Sequence, residues 1–353
     1  MLAFSGIENN PLANVDTERA AHPSMAAGIT EEEGSLVLPD GISLYTKSWK
    51  PAGEPRAIIA FYHGFSDHCN AFFEFFPSLA SLGFEVRSLD QRGWGRSVTS
   101  NRKLRGDFGS TPTVMADLHF FLRSLVPYTK ESSIPLFLMG HSMGGENSLY
   151  YVLNPESPYY KTPTTKTSSP TSQFKLAGVI AAAPYISLHP ATQPSRLLEI
   201  SGRIALRILP KMTLKQGVDV KNVSRNPAVL ENVERDNGYL FHKTGTLEGF
   251  AGMLDRAAWL NGLHTKKQKD VVSDGIAGNV PPLWVGHGTG DRATWFEASK
   301  RLVESLDYVD DKTFKSYEGA YHKLMNEPDG VGEEMTRDVA EWIEAHISQA
   351  DGA

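Results

Sequence analysis

The sequence predicts an α/β fold: a mostly parallel, doubly wound sheet with an inserted helical cap. Three observations predict it. Short, nearly uninterrupted apolar runs at 57–62, 136–139 and 176–183 have the pattern of strands buried on both faces. Helix-like stretches alternate with them, and repeated strand-then-helix order is what a parallel sheet with crossover helices requires. The alternation stops over 184–280 and resumes with the apolar run 282–286, so a separate unit interrupts the sheet at the carboxyl ends of its strands, where open α/β sheets bind ligands. The expected division is a flexible extension over 1–34, a core over 35–183 and 281–348, and a cap or lid over 184–280.

Composition narrows the functional classes. A chain of 353 residues with 41% hydrophobic content can hold one large domain with an inserted subdomain and needs no covalent staples. Its net charge of -6 supplies no general basic field, which argues against nucleic acid as a partner. The single cysteine, Cys69, excludes an internal disulfide and a cysteine-rich metal site and suits a reducing compartment; a small buried side chain is its ordinary reading. No apolar run approaches the eighteen or so residues of a membrane span. The first residues lack the charged start and apolar core of a signal peptide, so the expected location is cytoplasmic.

Taken in order, residues 1–34 are polar, carry Glu31, Glu32 and Glu33 near their end, and show no sustained period, which reads as a mobile extension. Strand-like runs from Gly34 and from Ile42 flank Pro39, Asp40 and Gly41, a hairpin signature. The strand at 57–62 is followed by a Phe-rich helical stretch at 71–82, a strand at 83–89 and a loop at 90–97. A helix at about 113–126 leads to the strand before Ser142, and another helix follows it. The segment 157–173, dense in Ser, Thr and Pro, reads as an exposed insertion, a solvated loop in preference to a phosphorylation site. The cap includes the basic cluster Lys266, Lys267 and Lys269. After it come the strand at 282–286, a helix at 295–306, a strand at 313–317 and an amphipathic helix at 333–347 with Val339, Trp342 and Ile343 on its apolar side.

The chemistry concentrates at 136–145. An apolar strand running into G-x-S-x-G, here Gly140, Ser142 and Gly144, marks a sharp strand-to-helix turn with a serine at its tip. The glycines leave room where the backbone doubles back, so Ser142 can take a strained conformation and present its hydroxyl above the sheet edge as a nucleophile. An ordinary turn containing serine would look similar, but the flanking strand and helix patterns favour the nucleophile. Serine needs a base, a residue to orient that base, and an oxyanion site. Asp291 lies beyond a strand on a glycine-rich loop that can aim a carboxylate; capping the following helix is its alternative role. Of the 11 histidines, His322 is the one just beyond the last strand, and the order Ser142, Asp291, His322 is the chain order of this elbow fold. Two backbone N–H groups must meet the developing oxyanion: Met143 follows the nucleophile, and Phe65, in the loop 63–68 after the third strand, is our choice for the second. His63 and His68 could suggest a metal, but no third ligand stands at a recognisable spacing, so neither metal nor cofactor is expected.

Together these blocks resemble the monoacylglycerol lipase group of the α/β-hydrolases, in the branch described as serine aminopeptidase S33 or lysophospholipase-like. The matching residues are His63, Gly64 and Phe65; Asp90, Gln91, Arg92, Gly93 and Gly95; G-H-S-M-G-G over 140–145; His287 to Asp291; and Tyr321, His322, Lys323, Leu324, Asn326 and Glu327. The combination looks most like the fungal members and spans about residues 34–347. The resemblance implies the α/β-hydrolase fold, hydrolysis of monoacylglycerol to glycerol and fatty acid, and a cap that forms the acyl channel and touches membranes or lipid droplets. Members usually carry Gly-Glu after the oxyanion residue. Ser66 and Asp67 stand here, keeping an acid one methylene shorter, and Asp67 is accordingly a candidate substrate-binding residue. Mammalian members place an arginine a few positions on to order that acid, whereas this chain has Cys69, Asn70 and Ala71.

Three functional classes follow. The leading one is hydrolysis of long-chain monoacylglycerols through an acyl-enzyme, with His322 as base and Asp291 orienting it. A second is another carboxylesterase, a lysophospholipase or a peptidase on the same scaffold. A third is a non-catalytic ligand-binding protein, against which the complete triad argues. Dehalogenase and epoxide hydrolase chemistry would want an acid where Ser142 stands. Within the cap, residues 195–209 place Leu197, Ile200, Ile204 and Ile208 near helical spacing, gather Arg196, Arg203 and Arg207 on a different face, and end at Pro210. Two readings stay open: a helix that dips into a lipid surface, or a stripe packed down over the acyl channel.

Overall fold

Ten strands and eight α-helices are described in the computed structural model, which covers residues 28–132, 134–161, 174–193, 195–216, 219–236, 238–265, 272 and 275–350. In chain order they are β1 (Thr30–Val37), β2 (Ser43–Lys50), β3 (Ala57–Tyr62), α1 (Phe75–Ser81), β4 (Phe84–Leu89), α2 (Thr111–Ser132), β5 (Leu136–His141), α3 (Met143–Leu153) and β6 (Gly178–Ala182). There follow α4 (Arg196–Leu206), β7 (Thr213–Lys215), α5 (Pro227–Asp236), β8 (Thr244–Thr246), α6 (Leu247–Gly262), β9 (Leu283–Gly288), α7 (Phe296–Ser305), β10 (Lys312–Tyr317) and α8 (Val331–Ala350). The expected extension over 1–27, most of the Ser/Thr/Pro segment (162–173) and the basic cluster at 266–269 lie outside the described residues.

Eight strands form one sheet in the order β1-β2-β4-β3-β5-β6-β9-β10; β1 with β2 and β2 with β4 are antiparallel, and every later pairing is parallel. The apolar runs divide by the strand period of two. Ile58, Ala60 and Tyr62 of β3, with Leu136 and Leu138 of β5, pack with α2, α3 and α7 on one face; Ala57, Ile59, Phe61, Phe137 and Met139 pack with α1 and α8 on the other. Val339, Trp342 and Ile343, as the amphipathic pattern predicts, are joined by Met335 and Ala340 as the α8 residues that do this.

Two local departures from the sequence reading have clear causes. Strand β1 begins at Thr30, inside the stretch expected to be extension, because its acidic run is paired: Glu31 meets Lys47 at 2.8 Å, Glu33 meets Arg96 at 3.3 Å, and Glu32 meets Lys50. Paired charges of this kind stabilise an edge strand that a solvated tail would lack. The Phe-rich helix is two pieces, a 3₁₀ turn over Cys69–Phe72 and then α1, broken at Phe73 with φ 41°. The break lets both Phe72 and Phe76 close edge-on against Phe61, at 4.6 and 4.7 Å between ring centroids.

Parallel strands put the chain ends that matter on one edge. The loops after β3, β5, β9 and β10 all leave from the carboxyl end of the sheet, and residues 184–280 are inserted after β6 on that same side. This insert is not purely helical: β7 and β8 pair antiparallel, Thr213 opposite Thr246. Thr246 then caps α6, its hydroxyl accepting from the Gly249 N–H at 3.3 Å.

Candidate active site

Ser142 sits where β5 turns into α3, with φ 55° and ψ -119°, a conformation that costs a non-glycine residue free energy and is held by its surroundings. Its N–H donates to the Ala182 carbonyl at 3.0 Å, and its carbonyl accepts from Glu146 and Tyr185 N–H at 2.9 and 3.0 Å. The neighbouring glycines are required by close approach. A Cβ on Gly144 would lie 1.9 Å from the Tyr62 carbonyl oxygen, and one on Gly140 would lie 2.2 Å from that of Gly144. Met143 opens α3, so its N–H has no partner in the helix ladder, and the residue lines the cavity beside Ser142.

The loop after β3 is fixed from behind by His63. This imidazole donates from Nδ1 to the Gly64 carbonyl at 2.7 Å and accepts at Nε2 from the Gln91 N–H at 2.9 Å, so both ring nitrogens are committed to the backbone. Burial lowers its pKa, which suits the neutral tautomer these bonds demand. Phe65 is anchored by its ring, 4.8 Å from Trp94 and 5.3 Å from Phe250 between centroids, and the residue lines the cavity.

Asp291 gathers five donors. Oδ1 accepts from the N–H groups of Ala293 and Thr294 at 2.7 and 2.9 Å; Oδ2 accepts from His322 Nδ1 at 2.7 Å, the Thr294 hydroxyl at 2.8 Å and His287 Nε2 at 3.1 Å. Asp291 does not cap the following helix, whose N-cap position is Trp295 with no side-chain cap; its Oδ1 instead closes the turn at 291–294 while Oδ2 meets an imidazole. Burial alone would raise the carboxyl, but His322 and His287 outweigh it and hold the group well below the usual carboxylate range. With Nδ1 of His322 donating to an ionised carboxylate, Nε2 is left with its lone pair, the state a general base needs.

Ser142, Met143, Phe65, His322 and Asp67 line a single cavity of about 690 Å³, whose remaining wall is largely apolar and includes Val220, Leu247, Phe250 and Met253 from the inserted segment. Asp67 is ion-paired across it with Lys323, at 3.1 Å to Oδ2 and 3.3 Å to Oδ1, both side chains nearly excluded from solvent. The ammonium lies over the rings of Phe72 and Phe241 at 5.0 and 5.7 Å. A cation thus does order the acid of the oxyanion loop, but it arrives beside His322 instead of a few residues after Asp67. The sequence reading assigns no role to His287, Thr294 or Lys323. His287, four residues before Asp291, and Lys323, directly after His322, do stand in the blocks that carry the family resemblance, whereas Thr294 has no such signal.

The chain was compared with known proteins. A family model described as serine aminopeptidase, S33 matches residues 53–329. A Schizosaccharomyces pombe protein provisionally described as a monoglyceride lipase is 34% identical over 87% of this chain and 73% of its own length. Saccharomyces cerevisiae monoglyceride lipase is 26% identical over 84% of this chain and 87% of its own. Among solved structures, a soluble variant of the S. cerevisiae monoglyceride lipase in complex with a substrate analogue shares the fold with a TM-score of 0.76 at 23% identity, covering 92% of this chain and 98% of that one. The Paleococcus ferrophilus monoacylglycerol lipase follows at 0.62 and 25% identity, covering 86% and 99%.

Proposed function

The chain belongs to the serine aminopeptidase S33 family of α/β-hydrolases, and from that premise we propose that it is a serine hydrolase cleaving monoacylglycerols to glycerol and free fatty acid. The observation that carries the reading is one apolar cavity with Ser142, His322 and a paired Asp67–Lys323 on its wall. In this reading residues 35–183 and 281–348 are the catalytic core and 184–280 the cap that walls the acyl channel. His322 takes the proton of Ser142 as the hydroxyl attacks the ester carbonyl. Asp291 stabilises the imidazolium, and the N–H groups of Met143 and Phe65 receive the oxyanion. The imidazolium returns its proton to the departing glycerol oxygen, and water then resolves the acyl-enzyme by the same route in reverse. Asp67 can accept from one free glycerol hydroxyl and Lys323 can donate to another, a pairing that a substrate without free hydroxyls cannot satisfy.

The proposal extends to a lipid surface. Ile204, Ile208 and Leu209 are 58%, 76% and 52% exposed at and just beyond the end of α4, with exposed Arg207 beside them; Lys211 is paired with Asp107 and Glu248. An exposed apolar edge beside a cation suits an interface with lipid, from which a poorly soluble ester could enter the cavity. The side chains of Leu197 and Ile200, the other half of the predicted stripe, lie outside those described. No helix among the described residues is long and apolar enough to cross a membrane, so the contact proposed is peripheral.

A substrate panel tests the reading. Mono-, di- and triacylglycerols, lysophospholipids, short esters and aminoacyl amides should be ranked by kcat/KM, with long-chain monoacylglycerols expected first. A preference for lysophospholipids or amides would sink the substrate assignment while leaving the serine chemistry standing.

A further inference from the structure

Glu327 closes the loop that carries His322, and its side chain is fully buried. The carboxylate accepts four hydrogen bonds. Oε1 takes the Ser224 hydroxyl at 3.0 Å and the Arg225 N–H at 2.9 Å; Oε2 takes Arg225 Nε at 2.8 Å and the Tyr321 N–H at 3.0 Å. On the other side of His322, the Lys323 N–H donates to the Val223 carbonyl at 2.9 Å. Asn226 adds a bond from its side-chain amide to the Asn326 carbonyl at 2.7 Å. Both residues flanking His322 are therefore tied to one short stretch of the insertion, residues 223–226, directly through Val223 and indirectly through Glu327. That stretch reaches the wall of the cavity, which Val220, Asn222 and Val223 line together with Ser142. With its acceptor sites filled, a buried carboxylate cannot shift without leaving donors unpaired, so the arrangement has one low-energy pose.

We propose that Glu327 is a positioning residue for His322, making residues 223–226 of the cap the support that sets where the imidazole stands relative to Ser142. Asp291 orients the ring through Nδ1; Glu327 fixes the main chain from which the ring hangs. The inference rests on the triad assignment and not on the identity of the lipid. Its signature is kinetic. A base displaced by about 1 Å can cost up to roughly a hundredfold in turnover, while the binding of an ester too short to reach the cap is untouched.

The test uses the full-length protein with Glu327→Gln, Arg225→Ala and the double variant. Arg225 is the outer partner, with a side chain 34% exposed, and can be shortened with little risk to folding. Active sites are counted with a fluorophosphonate, and kcat and KM for p-nitrophenyl acetate are then measured per counted site beside the melting temperature. Glu327→Gln is expected to lower kcat about tenfold or more with KM within about twofold. Arg225→Ala should cost a smaller factor, and the double variant less than the product of the two, since both act through one contact. A kcat per site equal to the parent's, however far the melting temperature falls, would show Glu327 to be a structural staple only and overturn the proposal. If Glu327→Gln does not fold, Arg225→Ala decides alone by the same criterion. A parent protein that takes up no fluorophosphonate would instead remove the triad assignment, a distinct failure.

Discussion

Oδ2 of Asp291 collects hydrogen bonds from His322, Thr294 and His287, and that convergence ranks the effects of single substitutions. Ser142→Ala should keep the fold and abolish both turnover and fluorophosphonate labelling, because in the proposed mechanism the hydroxyl is the acyl acceptor and it contributes little to packing. Labelling that persisted would move the nucleophile elsewhere. Asp291→Asn should fold and lose up to about 10⁴ in kcat, since an amide can hold the imidazole in the wrong tautomer. His287→Gln is expected to cost only about tenfold in kcat/KM, the worth of one hydrogen bond to a charged group, because four other donors still hold the carboxylate, two of them on Oδ2. Equal losses from the Asp291 and His287 variants would mean that the second histidine does more than support. The proposed triad could be named from the sequence because its order and its glycines are local signals, and the structure puts His322 within hydrogen-bond distance of Asp291 and on the same cavity as Ser142. The roles of Lys323 and Thr294 could not be, because they depend on partners that only the folded sheet edge brings near: Asp67 lies far back in the chain, and Thr294 meets His322 Nδ1 at 3.1 Å across two loops.

Elements were readable in proportion to their burial. Strands β3, β5, β6 and β9 announce themselves as apolar runs because both faces are covered, whereas β7 and β8 are three-residue strands, too short to show a periodicity. Strand β1 was hidden by its glutamates, which look like a solvated run until Lys47, Lys50 and Arg96 are placed beside them. Helix α4 carries the open question of the cap. Exposure of Ile204 and Ile208 favours the lipid-facing reading for the carboxyl end of the stripe. Ile204→Ser with Ile208→Ser should therefore weaken sedimentation with anionic liposomes and slow hydrolysis of dispersed long-chain monoacylglycerol. The melting temperature and the turnover of a soluble short ester should stay nearly constant, since exposed side chains contribute little to the core. A clear fall in melting temperature with liposome binding unchanged would mean that these side chains pack inward, and the docking role of α4 would be dropped.

At the scale of the whole molecule, the segment inserted after β6 meets the sheet-bearing part of the chain at the helix that follows Ser142. Glu146, in the first turn of α3, and Arg256, from the middle of α6, are both excluded from solvent and meet at 3.4 Å, and Arg256 Nη1 also donates to the Thr111 hydroxyl at 3.1 Å. Burial raises the Glu146 carboxyl to about 8 against the opposing pull of Arg256, from an ordinary value of 4.5. The folded protein thus binds a proton here that the unfolded chain releases, and stability depends on pH accordingly. The contribution is fully present below about 4.5 and is lost progressively as pH rises toward about 8, because across that window the native state holds the extra proton. Glu146→Gln removes the titrating group while keeping its shape. Urea midpoints measured at pH values from about 5 to about 9 should fall with pH in the parent and fall less in the variant, at unchanged m-value. The variant should gain most at the alkaline end, where the parent must carry a buried carboxylate beside Arg256. Parallel curves for the two proteins would mean that Glu146 is ionised throughout, making the junction between the inserted segment and the sheet-bearing part a permanent ion pair instead of a protonated one.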